Sequence, residues 1–280
     1  MFINPMLLHK SEPFSDPKWI FEPKMDGIRL LFSKIKNNVQ LYTRHNHNVT
    51  ERFPELLKIP VHNDVILDGE LICYDPEQNK VDFERCMERF MTRRPQKRQQ
   101  LEVHYVVFDI LHYDGMDVRH LPLIKRKEIL DSVIEDTGYI SKIKYVPNEG
   151  ERYFEAIKQM DLEGMVAKRK DSPYESKRSA KWLKVINWKY VDVYITGFKK
   201  KELGWLCSVK EEDRLKSVGI LDLGTTPESR EAFYRVAKSI RIEENEDVVF
   251  LEPKIQAKVK IRNWTRKGML RSPSFVGFTL

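Results

Sequence analysis

One short stretch sets a lysine among residues that can do chemistry: Phe21-Glu22-Pro23-Lys24-Met25-Asp26-Gly27-Ile28-Arg29. A free lysine is a poor nucleophile at neutral pH, because its ordinary pKa is about 10.4. Desolvation or neighbouring cations favour the neutral amine and make it reactive. Gly27 lets the backbone turn tightly or approach a bulky ligand, and Arg29 is of the type that holds phosphate. The same residues also read as a turn with solvated charges leading into a strand over 28–35, with Glu22 as a strand-end charge. The stretch alone leaves both readings open.

Further charged residues recur where a plain structural element does not need them. The run 64–72 has the pattern of a buried strand, interrupted by Asp68, Gly69 and Glu70. Charges inside a strand are costly unless paired or used; the structural alternative is a bulge at a sheet edge with both carboxylates outward. In 161–168, Glu163 and Gly164 precede a short apolar run that ends in Lys168. That pattern also fits an acidic helix end with a glycine cap. Lys181, Trp182 and Lys184 lie in a strand-like run over 179–186, and Phe108 sits in a core-like strand over 104–111. The loop Thr43 to Thr50 alternates histidine and asparagine, but no acidic or cysteine partner stands at ligand spacing, so it reads as a polar loop.

The elements that must position these groups follow from periodicity. Residues 28–43 form an expected hairpin around Lys36-Asn37-Asn38. Helices are expected from Leu121-Pro122 to Ile134, with Pro122 in the first turn and Gly138 able to end it, and from Glu149 to Met160. Residues 84–100 are basic through Arg85, Arg89, Arg93, Arg94, Lys97 and Arg98, with an amphipathic helix in the front half. From Trp188 the character changes. Short strands are expected over 191–198, 204–210, 218–223, 248–251, 255–262 and 274–279, with one helix from Thr226-Pro227 to Ile240. That is the pattern of a small Greek-key barrel. Residues 254–280 carry seven basic residues and no acidic one. Trp264 lies among Arg262, Arg266 and Lys267, as at nucleic-acid surfaces.

The net charge of +7 points to an anionic partner. The three cysteines include no Cys-x-x-Cys pair, so neither a zinc site nor a disulfide framework is indicated. No apolar run approaches ~18 residues and no signal-peptide pattern is present. A cytoplasmic protein without membrane contact is expected.

Lys-x-Asp-Gly-x-Arg at 24–29 resembles the nucleotidyl-attachment signature of ATP-dependent DNA ligases and their relatives, the RNA ligases and mRNA-capping guanylyltransferases. Further motifs of that family follow in order. Arg44, Thr50 and the Phe53 run match the loop after the first hairpin, although the loop's usual glycine is missing. Leu67 to Leu71 matches the third motif, and Glu163 to Lys168 the fourth. Trp182 to Val185 resembles the fifth, but Ile186 stands where a second lysine is common. The order from Arg262 to Pro273 resembles the end of bacterial ligase domains associated with double-strand-break repair. The family's final Arg-x-Asp-Lys motif is not found, and no room for a further DNA-binding domain is expected.

The resemblance implies an α+β adenylyltransferase (nucleotidyltransferase) domain over 1–187, followed by an OB-fold DNA-binding domain over 188–280. It implies ATP and Mg²⁺ as cofactors, and nicked double-stranded DNA as the partner of a monomer. By resemblance, Lys24 takes the nucleotide, Asp26 assists the later steps and Glu22 reads the adenine. Arg29 and Arg44 hold phosphate or ribose, Glu70 binds the ribose, and Phe108 stacks on the purine. Glu163 helps to bind the metal, and Lys184, alone or with Lys181, contacts the α-phosphate. Arg262, Arg266, Lys267 and Arg271 are expected to contact DNA. The alternatives are an RNA ligase, a capping guanylyltransferase or, in another class, a non-catalytic nucleic-acid-binding protein.

Overall fold

The structure, a computed structural model, describes residues 1–78, 80–92, 94 and 100–279. Arg93, Lys97 and Arg98 of the expected basic segment lie outside the described residues. The chain divides into two compact units, Met1–Asn187 and Trp188–Leu280.

The first unit runs β1 (Leu7–Lys10), β2 (Asp16–Pro23), β3 (Ile28–Ile35), β4 (Asn38–Thr43), β5 (Val65–Asp75), β6 (Lys80–Val81) and α1 (Phe83–Met91). It continues through β7 (Val103–Tyr113), β8 (Met116–Asp117), α2 (Leu123–Val133), β9 (Ile140–Lys142), β10 (Val146–Asn148), α3 (Gly150–Gln159), β11 (Gly164–Arg169) and β12 (Arg178–Ile186). One sheet has the order β1-β12-β11-β2-β10. The other has the order β4-β3-β5-β7-β8, with β6 beside β5 and β9 beside β7.

The β3–β4 hairpin forms as expected, because Lys36 and Asn37 take the positive φ values of 48° and 61° that a tight hairpin turn requires. The edge reading of Asp68 and Glu70 is corrected. Their strand, β5, lies in the sheet interior between β3 and β7, although a register shift does fall at Asp68/Gly69. Two details of α2 also differ. Pro122 is its N-cap rather than its first residue, and the helix ends at Val133 because Ile134 turns extended, well before Gly138. α1 begins where Asp82 accepts the Arg85 N–H, a standard N-cap arrangement.

Residues opposite one another in a ladder point to the same face. In the first sheet, Phe21, Met165, Ala167 and Val185 pack with Phe154 and Ile157 of α3. Ile20 and Trp182 face the other way, and share a core with Leu31, Ile66 and Leu111 of the second sheet. The two sheets therefore face each other. Residues 24–27 carry the chain from one sheet to the other.

The second unit runs β13 (Lys189–Lys199), β14 (Trp205–Glu211), β15 (Arg214–Leu221), α4 (Pro227–Ala237), β16 (Arg241–Glu244), β17 (Val248–Ile261) and β18 (Ser274–Thr279). The sheet order is β15-β14-β13-β17-β16, with β18 also on β17. The two strands expected over 248–262 are one continuous strand. Its ladder with β13 skips a step at Ile195/Gly197, which accommodates the stretch around Pro253. β16 has no counterpart among the expected strands; all four of its residues are exposed, so it lacks the apolar alternation that marks a strand. Thr226 and Ser229 form a reciprocal capping box at the start of α4. The N–H groups of Leu270 and Phe275 donate to Val218 and Leu223, which draws the sheet round on itself. Trp205, Phe233 and Phe275 fill its core. No helix among the described residues is long and apolar enough to cross a membrane.

Candidate active site

Lys24 sits directly after β2, and its backbone N–H donates to Gly164 O at 2.9 Å. This crossing fixes the lysine beside the residue that precedes β11. Lys24 Nζ donates to Glu163 Oε2 at 2.6 Å, with the carboxylate side chain only 4% exposed. Two glycines make the approach possible. A Cβ at Gly164 (φ +152°) would lie 2.1 Å from Val185 O, and one at Gly27 would lie 2.2 Å from Leu71 O. Asp26 is half-buried in the same link.

On the second sheet, Arg29 and Glu70 are ladder partners, as are Leu31 and Asp68, so all four share the face toward the first sheet. Arg29 forms a two-pronged pair with Asp68, Nε to Oδ1 at 2.9 Å and Nη2 to Oδ2 at 2.6 Å. Its Nη1 donates to Met6 O, and Tyr174 Oη donates to Asp68 Oδ2 at 2.6 Å. Arg29 is thus held rigidly. Burial pushes the Glu70 carboxyl up to about 8, against the pull of Lys24 and Arg29. Phe108 on β7 has the Arg29 guanidinium 5.4 Å from its ring centroid and the Lys168 ammonium 4.4 Å away.

On the first sheet, Glu22 pairs with Val166, and Val166 with Lys184, so Glu22 and Lys184 share one face. Trp182 and Lys168 belong to the same face. Glu22 is almost wholly buried, with Lys127 Nζ 2.5 Å from Oε1 and Lys168 Nζ 2.7 Å from Oε2. Burial lowers the Lys168 amine to about 8, opposed by Glu22.

The structure therefore gathers Glu22, Lys24, Arg29, Glu70, Phe108, Glu163 and Lys184 on or between the facing sheets. Two expected residues stand apart. Lys181 is an odd number of residues from Lys184 along β12, so it points to the opposite face, and its Nζ lies 3.3 Å from Glu175. Arg44 is exposed beyond the end of β4 and donates to the neighbouring His45. In the second unit, the Arg262 N–H donates to Arg271 O and the Arg271 N–H to Asn263 O, which closes the loop after β17. The exposed Arg266, Lys267 and Trp264 lie at its tip, where Gly268 takes φ +70°.

Sequence reasoning gave α2 no site residue and so missed its contribution. Its buried stripe is Leu123, Arg126, Lys127 and Leu130, the i, i+3, i+4, i+7 pattern in which two cations replace apolar residues. Arg126 grips Asp109 through two bonds of 2.8 Å with both side chains fully buried. Lys127 reaches Glu22. Cations in an apolar stripe were the available signal.

Residues 5–185 match the model of the ATP dependent DNA ligase domain. The chain is 41% identical to the SPbeta prophage-derived DNA ligase-like protein LigB of Bacillus subtilis, covering 98% of each. It is 30% identical to a probable DNA ligase of Dictyoglomus thermophilum, covering 87% of this chain but only 47% of that protein's length. In structure it resembles mycobacterial DNA ligase D complexed with ATP and MES, with a TM-score of 0.62, 23% identity and coverage of 99% and 95%. The likeness extends over both units, and gives the fold as a nucleotidyltransferase domain followed by an OB-fold. The chain belongs to the ATP-dependent DNA ligase family of enzymes.

Proposed function

We propose that this chain seals nicks in duplex DNA through an AMP carried on Lys24 and then on the DNA 5′-phosphate. The observation that carries this reading is the placement of Lys24. Its Nζ lies 2.6 Å from Glu163, at the crossing between two sheets whose facing sides present Glu22, Lys168 and Lys184 on one and Arg29, Glu70 and Phe108 on the other.

Lys24 Nζ gives up its proton and attacks the α-phosphorus of ATP. A P–N bond forms, the bond to the β-phosphate oxygen breaks, and pyrophosphate leaves. A 5′-phosphate oxygen of the nick then attacks the same phosphorus, and the amine departs and recovers a proton. Finally the 3′-hydroxyl attacks the DNA 5′-phosphorus, loses its proton and expels AMP. Each transfer depends on alignment and charge neutralisation more than on covalent assistance from the protein. Lys184 shares a sheet face with Glu22 and supplies positive charge for the phosphate. Glu22 receives the 6-amino group of adenine, Glu70 the ribose, and Phe108 a face of the base. Asp26 lies in the link that carries Lys24, placed to act in the later transfers.

Among the described residues, no group of three or more His, Cys, Asp or Glu could hold a metal. Magnesium needs less from a protein, since it commonly takes one or two carboxylates plus substrate phosphates. Glu163, with Glu70 close enough for their charges to interact, offers hard oxygen donors of that kind. Bound there with ATP, magnesium would neutralise charge on the phosphates. The loop over 262–271 provides Arg262, Arg266, Lys267 and Arg271 for the DNA backbone.

The test is sealing of a singly nicked DNA duplex with Mg²⁺ and each of ATP, GTP, CTP and UTP, alongside labelling of Lys24. Sealing with ATP alone is expected. Labelling by GTP without sealing would favour a capping-type transferase, and sealing restricted to RNA nicks would favour an RNA ligase. Absence of any covalent adduct would leave only a nucleic-acid-binding role.

A further inference from the structure

We infer that Lys127 is a specificity-determining residue: it positions the Glu22 carboxylate as a pure hydrogen-bond acceptor for the amino group of the nucleotide base. This rests on the reading of Glu22 as the group that meets the base.

Lys127 and Lys168 approach Glu22 from different elements, α2 and β11, and take different oxygens, at 2.5 Å and 2.7 Å. The three side chains are no more than 5% exposed. A carboxylate has lone pairs for about four hydrogen bonds. The Lys127 ammonium takes one of these directions on Oε1, while Lys168 Nζ lies against Oε2 as an ion pair without hydrogen-bond geometry, which leaves the other directions for a donor. With cations against both of its oxygens, the group turns only acceptor sites toward a further partner. An exocyclic amino group finds an acceptor there, whereas a carbonyl oxygen at the same place meets lone pairs and is repelled. A site built round a buried hydrogen-bonding group discriminates strongly, because the wrong partner leaves it unsatisfied.

The charge balance argues against Lys127 being only a tie between α2 and β2. Its helix neighbour Arg126 already anchors α2 by taking both oxygens of Asp109 on β7. Lys168 alone already gives Glu22 a cation, and lies 4.1 Å from the centre of the Trp182 ring as well as over Phe108. Lys127 is therefore a second buried ammonium on one carboxylate, with the Tyr145 ring 5.6 Å from its Nζ. A buried charge beyond the paired set costs stability. What the second cation adds is orientation. The directional Lys127 hydrogen bond fixes Oε1 while the Lys168 charge lies against Oε2, and together they set the carboxylate plane.

The experiment measures the rate of Lys24 adenylylation against nucleotide concentration in the full chain. The nucleotides are ATP and purine riboside triphosphate, which lacks the 6-amino group. The wild-type chain is expected to favour ATP by about 10-fold or more in kcat/KM. Lys127→Met keeps the aliphatic stem and removes the charge. It should raise the KM for ATP by about 10-fold, leave the saturating rate within about 3-fold and erase most of the preference. Lys127→Arg, which keeps the cation, should retain most of it and serves as the folded comparison if the methionine variant is unstable. A Lys127→Met chain that melts earlier but keeps its full preference would reduce Lys127 to a structural pair. If that variant does not fold, a Lys127→Gln chain that folds and keeps the preference would do the same. Glu22→Gln separates the two layers. Preference retained in that variant removes the reading of Glu22, and the inference with it. Preference lost there but kept in Lys127→Met, or in Lys127→Gln where the methionine variant does not fold, removes only the inference.

Discussion

Lys24 Nζ and Glu163 Oε2, from residues 139 apart in the chain, meet at 2.6 Å. An ammonium bonded to a carboxylate has no lone pair to offer, so attack on phosphorus requires this pair to open and the proton to leave. In the proposed reaction, incoming phosphates would compete for Lys24 and their cation for Glu163, so that Glu163 would be a ground-state partner that the substrate exchanges. Lys24→Ala should abolish covalent labelling from ATP marked at the α-phosphate. Glu163→Gln should leave the fold intact and slow labelling by roughly a hundredfold, the usual cost of losing one electrostatic partner at such a centre. Wild-type labelling in the Lys24 variant would move the nucleophile elsewhere.

The Glu70 carboxyl gives a pH signature in the nucleotide-free chain. Burial raises its pKa from 4.5 to about 8. The folded state therefore holds a proton that the unfolded state releases across that window. The resulting stabilisation is fully present below about pH 4.5 and is lost as the pH rises through about 8. Glu70→Gln keeps the neutral shape and cannot ionise. Comparing melting temperatures at about pH 5 and about pH 8, the wild-type chain should lose more than this variant does. Parallel curves would show that Glu70 is ionised throughout.

The Arg29–Asp68–Tyr174 network yields a graded stability test. Tyr174 Oη donates to an Asp68 oxygen that Arg29 also uses. Tyr174→Phe removes one donor and should cost about 1–3 kcal/mol in urea unfolding. Asp68→Ala strands a buried guanidinium and should cost about 3–5 kcal/mol. Equal losses from the two changes would mean that the Met6 carbonyl, already bonded to Arg29, suffices as its acceptor.

Much of this site was legible because its residues lie in short runs, where Lys24, Asp26, Gly27 and Arg29 can be read together. The pairing of distant residues was not. Nothing within residues 22–24 announces that Glu22 meets Lys127, more than a hundred positions later. The faces of β12 could have been counted from sequence: Lys181 and Lys184 are three apart and must point oppositely in a strand. The interior place of β5 could not, since Asp68 and Glu70 read equally as edge charges until Arg29 is placed opposite them. In the second unit the strands were found by their apolar alternation. β16 escaped because its residues are all exposed, and β17 appeared broken because Pro253 interrupts the pattern.

The division of the chain after Asn187 supports a prediction about which step needs which unit. Glu22, Lys24, Arg29, Glu70, Phe108, Glu163 and Lys184 all belong to Met1–Asn187, as do the cores that hold their strands, among them Phe21 with Met165 and Trp182 with Leu31. The loop with Arg262, Arg266, Lys267 and Arg271 belongs to Trp188–Leu280. Its cations could serve either the triphosphate or the DNA backbone. A run of seven basic residues with no acidic one over 254–280 is more charge than a departing pyrophosphate needs, and phosphate contacts along a duplex make binding weaken steeply with salt. A fragment of residues 1–187 should therefore melt cooperatively and still take label on Lys24, while losing nick binding and sealing. In the full chain, replacing Arg266 and Lys267 with alanine should weaken nick binding and flatten its salt dependence, with labelling little changed. A folded fragment that takes no label would assign the second unit to the first chemical step as well.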